Sequence, residues 1–186
     1  MKALRIALLL LAVPFATQAL AQAPGQVDLE PVKEVFGTSP KVNLNFGNAM
    51  IQGLAEGFRG SNADIADLIS GVSGLRVMVF EDVDGSLART FVSDTTFELG
   101  NQGWTPAVEV RDESDHVDIY IKESGEFVDG IVLMVTESGG DAVFINVFGA
   151  LDPVFIGKTL GGGVDFSNFD LEELMNAGNG NGDDDA

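Results

Sequence analysis

Ile131-Val-Leu-Met-Val-Thr-Glu-Ser-Gly-Gly-Asp-Ala-Val-Phe-Ile-Asn-Val-Phe148 holds two β-branched runs, 131–135 and 142–148, apolar at almost every position and separated by Ser138-Gly-Gly140. Such runs read as strands covered on both faces, joined here by a hairpin turn. Strand alternation puts Ile131, Leu133, Val135, Phe144 and Phe148 in one set and Val132, Met134, Val143, Ile145 and Val147 in the other. A large apolar side chain left in water forgoes roughly 1.5–3 kcal/mol of burial. One set is therefore expected under helices of residues 47–99, and the other under residues 150–175 or another chain. Val132, Met134, Val143, Ile145 and Val147 are the interface candidates.

Working upstream, residues 116–123 alternate Val117, Ile119 and Ile121 against His116, Asp118, Tyr120 and Lys122, with the apolar set expected inward. Residues 104–111 alternate Trp104, Val108 and Val110 with polar neighbours, and Pro106 marks an edge or a strand start. Asp112-Glu-Ser-Asp115 and Ser124-Gly-Glu126 supply the turns of a four-strand meander. Further upstream lie two more strands, Val42–Phe46 and Leu75–Phe80, the latter with Leu75, Val77 and Val79 expected on its core side. Helical spacing appears at Leu29, Val32, Val35 and Phe36, with Asp28 as a cap and Gly37 past the end. It recurs at Met50, Ile51, Leu54, Ala55 and Phe58, then at Ile65, Leu68, Ile69 and Val72 after Asn62, and again over residues 86–99. Asp152-Pro153 opens a short helix closed by Gly161-Gly-Gly163, and an amphipathic turn follows at Asp170–Met175. The expected class is α+β: a mixed or antiparallel sheet of about six strands ending in the four-strand meander, helices mainly on one face.

The N-terminus combines Lys2 and Arg5, an apolar run from Ile6 to Phe15 and a small-residue stretch ending Ala19-Leu-Ala21. This is the pattern of a secretory signal, too short to span a bilayer. Cleavage is expected between Ala21 and Gln22, giving an exported protein, periplasmic or secreted, with residues 22–175 as one α+β domain. With no cysteine in the chain, lipid attachment through an N-terminal Cys is chemically excluded and no stable membrane anchor is expected. The Gly/Asn/Asp tail of residues 176–186 has nothing to bury and is expected to be disordered. After cleavage eight bases face 29 acids, a formal charge of −21. That surface repels nucleic acid and anionic lipid, and neither is an expected partner; a protein partner or a homo-oligomer is.

Chemistry is sparsely signalled. His116 is the only histidine, and its phase puts it on the polar side of a strand start. Gly71-Val-Ser-Gly-Leu75 fails the nucleophile-elbow pattern at its last position, and no phosphate-binding loop is present. Asp82 and Asp84 before Gly85 imitate the middle of a calcium loop, but Phe80 and Phe91 occupy two ligand positions. Asp112, Glu113 and Asp115 crowd a turn and form a second weak metal candidate. No catalytic residue and no cofactor is assigned.

Six segments occur in a family's order: Val42-Asn-Leu-Asn-Phe46, Gly74–Glu81, Gly103-Trp104 leading into Val108–Arg111, Val117–Lys122, Gly130–Val135 and Val143–Pro153. In that order, with the Gly-Trp pair and the Asn-x-x-Gly-x-x-Asp-Pro stretch, the chain resembles the bacterial domain of unknown function 4252 family over roughly residues 28–160. The resemblance implies an exported domain and carries no established activity or catalytic residue. Some members look like lipoproteins, which the absence of cysteine distinguishes from this chain. The expected role is a non-enzymatic module of the cell envelope, sensory or regulatory, that binds a protein or itself. A carboxylate-based periplasmic hydrolase or isomerase and a calcium-stabilised structural module are the alternatives.

Overall fold

The strands form a single antiparallel sheet in a computed structural model that describes residues 22–61, 63–112, 115–154 and 156–157. In chain order the elements are α1 (Pro31–Phe36), β1 (Val42–Phe46), α2 (Asn48–Arg59), α3 (Ala63–Ser70), β2 (Val72–Phe80), α4 (Gly85–Asn101), β3 (Thr105–Arg111), β4 (Asp115–Ser124), β5 (Phe127–Glu137) and β6 (Ala142–Leu151). The sheet order is β1-β2-β6-β5-β4-β3. The expected meander is therefore present, and α4 carries the chain from β2 across to the far edge at β3. The expected signal peptide and tail lie outside the described residues, as do Asn62 and the glycines 161–163.

The first face of the sheet is closed by α1 and α4. Leu29 and Val32 from the α1 region, and Ala88, Phe91, Val92 and Leu99 from α4, pack with Met78, Phe80, Trp104, Tyr120, Val132, Met134 and Phe144. Phe91 stands edge-on to Phe144 with centroids 5.3 Å apart, and Phe36 edge-on to Phe80 at 4.9 Å. Such pairs add about 0.5–1.5 kcal/mol beyond their buried area. Asp84 starts α4: its Oδ1 accepts from Ser86 N at 2.7 Å and Leu87 N at 3.3 Å. α1 ends at Gly37, whose φ of 63° lets its N–H reach Lys33 O at 3.0 Å.

Register corrects several assignments of side. Val135 pairs with Val143, Leu133 with Ile145 and Ile131 with Val147, whereas Met134 pairs with Phe144 and Val132 with Asn146. Val132 and Met134 thus share the helix-covered face with Phe144 and are fully buried there. On β4 the polar set turns inward: Asp118 and Tyr120 are buried, while Val117, Ile119 and Ile121 stay half-buried. On β2, Met78 and Phe80 face α4; Leu75, Val77 and Val79 belong to the opposite face. A register shift between Pro106 and Val108 reverses the phase of β3, so Trp104 joins the first-face core while Val108 lines up with Ile119 on the other face. Val72 opens β2 rather than extending α3, which ends at Ser70.

The residues before α1 form a strap. Buried Asn146 holds it: its Oδ1 accepts from Val27 N at 2.8 Å, and its Nδ2 donates to Gly25 O at 3.0 Å and Ile131 O at 3.1 Å. Gly25, at φ 74°, lies so close to the Asp129 carbonyl that a side chain there would collide with it. Asp28 Oδ1 accepts from Glu30 N within the strap, and the residue capping α1 is Glu30, without a side-chain bond.

Candidate functional site

The second face of the sheet is built by pairing of apolar residues, all but Phe46 aliphatic, across the six strands. Val42, Leu44 and Phe46 of β1 lie opposite Val79, Val77 and Leu75 of β2, which lie opposite Val143, Ile145 and Val147 of β6. The row continues through Val135, Leu133 and Ile131 of β5 to Val117, Ile119 and Ile121 of β4, and ends on Val110 and Val108 of β3. No charged residue interrupts these rows. Nearly all are half-buried; Val77 is 9% exposed and Val110, on the edge strand, 46%. Of these residues only Val110 is among the exposed large hydrophobics, so the face is a broad apolar surface that is partly, not fully, covered.

The described chain covers it in part, leaving nearly all of its residues intermediate in exposure. The helices' main contacts with the sheet are those of α4 with β5 and of α2 and α3 with β1 and β2. After β6, Asp152 Oδ1 accepts from Val154 N at 2.8 Å and Asp152 O from Ile156 N at 3.1 Å, opening a helical turn. That turn seats Ile156 with Val128 and Leu151 against Ile121, Ile131 and Val147. Of the interface candidates, Val143, Ile145 and Val147 lie on this face; Val132 and Met134 do not. At the other end of the strands, Asp115 and Glu137 are register partners and Asp141 precedes β6, so the face is bordered by carboxylates.

Several polar groups elsewhere have structural partners. Asp118, 1% exposed, is bound through Oδ1 by Arg111 Nη2 at 2.5 Å, and Glu109 Oε1 lies 3.6 Å from the same nitrogen. The hydrogen bond to Asp118 pushes the Arg111 guanidinium above its ordinary value, and burial does the same to the Tyr120 phenol. Asp118 Oδ2 is buried without a hydrogen-bond partner among the described residues. His116 is half-buried at the start of β4, in register with Arg111 and Thr136.

Asp84 spends its carboxylate on the α4 cap, which holds it below the ordinary range. Asp82 is exposed and takes a φ of 55°. Asp112 N donates to Asp115 O at 3.0 Å in the β3–β4 turn, while Glu113 lies outside the described residues. A groove between the strap, α1 and α4 is lined partly by Asp28, Asp94 and Glu98. Among the described residues no three His, Asp or Glu side chains converge to hold a metal ion. Gln22, on the mature side of the expected cleavage point, is exposed, and Ala21 is outside the described residues. Among the described residues no helix is long and apolar enough to cross a membrane.

Sequence missed the burial of Asp118. Asp118 is in register with Glu109, and its partner Arg111 reaches it diagonally from the position opposite His116, which strand alternation alone does not show.

The chain matches the family model described as Domain of unknown function (DUF4252) over residues 37–159, well over half its length. No curated protein and no solved structure matches it.

Proposed function

The chain belongs to the DUF4252 family, and from that premise we propose that it is an exported, non-enzymatic domain that binds protein through the second face of its sheet. The observation that carries this reading is the uncharged aliphatic face, left half-buried across β3 to β6. Rigid β-branched side chains on a pleated surface suit contact with another polypeptide, since they lose little rotamer freedom on burial. Large apolar patches of this kind mark interaction sites. The leader-like sequence of residues 1–21 supports export, and the strong negative charge keeps such a protein dispersed until it meets its partner.

The test is a photocrosslinking residue placed in the full chain at Leu133 on the second face, and for comparison at Phe97 of α4, which is 72% exposed. In cells making the protein, Leu133 should give an adduct with a second polypeptide chain that Phe97 does not. Adducts confined to the same molecule overturn the reading. So does a turnover, in any activity screen of the purified chain, that one Asp or Glu substitution abolishes.

A further inference from the structure

We infer that β1 is a dimerisation edge, at which a second copy of this chain adds its own β1 in antiparallel register and joins the two six-stranded sheets into one. The inference is independent of the second-face reading, since it concerns the edge of the sheet and not its surface.

The sheet ends in two edge strands, β1 and β3, and they are made differently. β3 carries the devices that keep an edge from pairing: Pro106, a register shift between Pro106 and Val108, and the charges of Glu109 and Arg111. β1, Val42-Asn-Leu-Asn-Phe46, has no proline, no charge and an unbroken register with β2. Among the described residues no strand pairs with its other side. Asn43 and Asn45 lie on the first face, in register with Met78 and Arg76, and are exposed, so the cover of that face stops short of the edge.

Such an edge accepts another strand, and β1 has the same alternation read from either end. Laid antiparallel on a copy of itself about Leu44, it sets Leu44 against the copy's Leu44, Val42 against Phe46 and Asn43 against Asn45. Apolar side chains then meet apolar ones on the second face, and amides meet amides on the first. This register pairs even positions with even and odd with odd, so whichever backbone groups point away from β2 find the same set in the copy. The two-fold pairing occupies both unguarded edges and leaves only the guarded β3 strands outside, so assembly stops at two chains.

The local charge agrees. The mature chain's formal −21 is unevenly spread: residues 35–55, with β1 at their middle, hold no Asp or Glu, the longest such run beyond Asp28. Glu81, just after β2, is paired with Lys41 Nζ at 2.6 Å. Salt screens exposed charges over about 8 Å at physiological ionic strength, so the charge beside the strand outweighs the total. A five-residue ladder buries well under the roughly 1,200 Å² of stable interfaces, so the dimer should be weak and should tighten as salt is raised.

Sedimentation velocity of the mature chain, residues 22–186, from micromolar to millimolar concentration should show a monomer–dimer equilibrium. Asn43→Lys combined with Asn45→Lys sets like charges opposite one another in this register and should weaken the dimer about tenfold or more, although it lowers the net negative charge. Asn43→Asp combined with Asn45→Asp should weaken it likewise. Mixed together, the two variants should form a heterodimer at least as tight as the parent dimer, because each introduced lysine then faces an introduced aspartate. The substituted side chains are exposed, and urea unfolding checks that each variant is as stable as the parent. A parent chain still monomeric at millimolar concentration overturns the inference. So does a dimer that both variants retain at full strength, which would place the contact on another surface, and so does a mixture in which the two variants stay apart.

Discussion

The two faces of one sheet are made differently. The first is aromatic and sulfur-rich: Phe80, Phe144, Trp104, Tyr120, Met78 and Met134 reach up into α1 and α4, and the rings of Phe36, Phe80, Phe91 and Phe144 lock edge to face. The second is almost wholly Val, Ile and Leu, short and stiff, and stands half-buried. Large rings fill the irregular space between a sheet and a helix; branched aliphatics make a level surface. The difference separates a face sealed by α1 and α4 from a face whose side chains stay partly exposed.

Truncation breaks or sharpens this contrast most directly. Phe144→Ala removes a fully buried ring in contact with three others and should cost about 3–5 kcal/mol in urea unfolding. Its neighbour on the opposite face, Ile145→Ala, should cost only about 1–2 kcal/mol, because the partly exposed side chain has less to lose. Equal losses would mean that the second face is as thoroughly sealed as the first.

A smaller effect concerns the helix that seals the first face. Asp84 caps α4, and its bonds from Ser86 and Leu87 hold its carboxyl below the ordinary 3.8. A folded value lower than the unfolded one means that the stabilisation is full above the unfolded value and disappears as pH falls through the folded one. Asp84→Ala should therefore be less stable than the parent at neutral pH, and the gap should close in acid below about pH 4. A gap independent of pH would remove the charge from the explanation and leave only packing.

Much of the fold was legible because alternation and helical spacing mark their own elements. Val42–Phe46, the α4 stretch and all four meander strands appear where their patterns put them. Which face each strand turned to the helices was not legible. In 131–135 and 142–148 both alternating sets are apolar, so no contrast identifies the inner one, and a single residue in the connecting turn exchanges the faces. Here Glu137 N donates to Asp141 O and Gly140 N to Glu137 O, and that turn brings Val135 opposite Val143. On β4 the contrast was present but misleading. Asp118 and Tyr120 look like a solvent face because nothing local reveals that Arg111 crosses from β3 to pair with the acid. Of the candidate site, Val143, Ile145 and Val147 were legible as a set, and their companions on β5 were assigned to the wrong side for the same reason.

Asn146 has a kinetic meaning as well as a structural one. Its bonds to Val27 and Gly25 join positions 119 and 121 residues apart, whereas β3 to β6 assemble from hairpins that close over a few residues. Closing so long a loop is entropically expensive until the sheet has already brought its ends together. The strap should therefore fasten after the rate-limiting step, as a latch on a formed sheet. Asn146→Ala should steepen the loss of native protein by raising the unfolding rate, with the refolding rate almost unchanged. Stopped-flow denaturant jumps read both rates, and a refolding rate that falls by the full equilibrium effect would place the latch inside the folding nucleus instead.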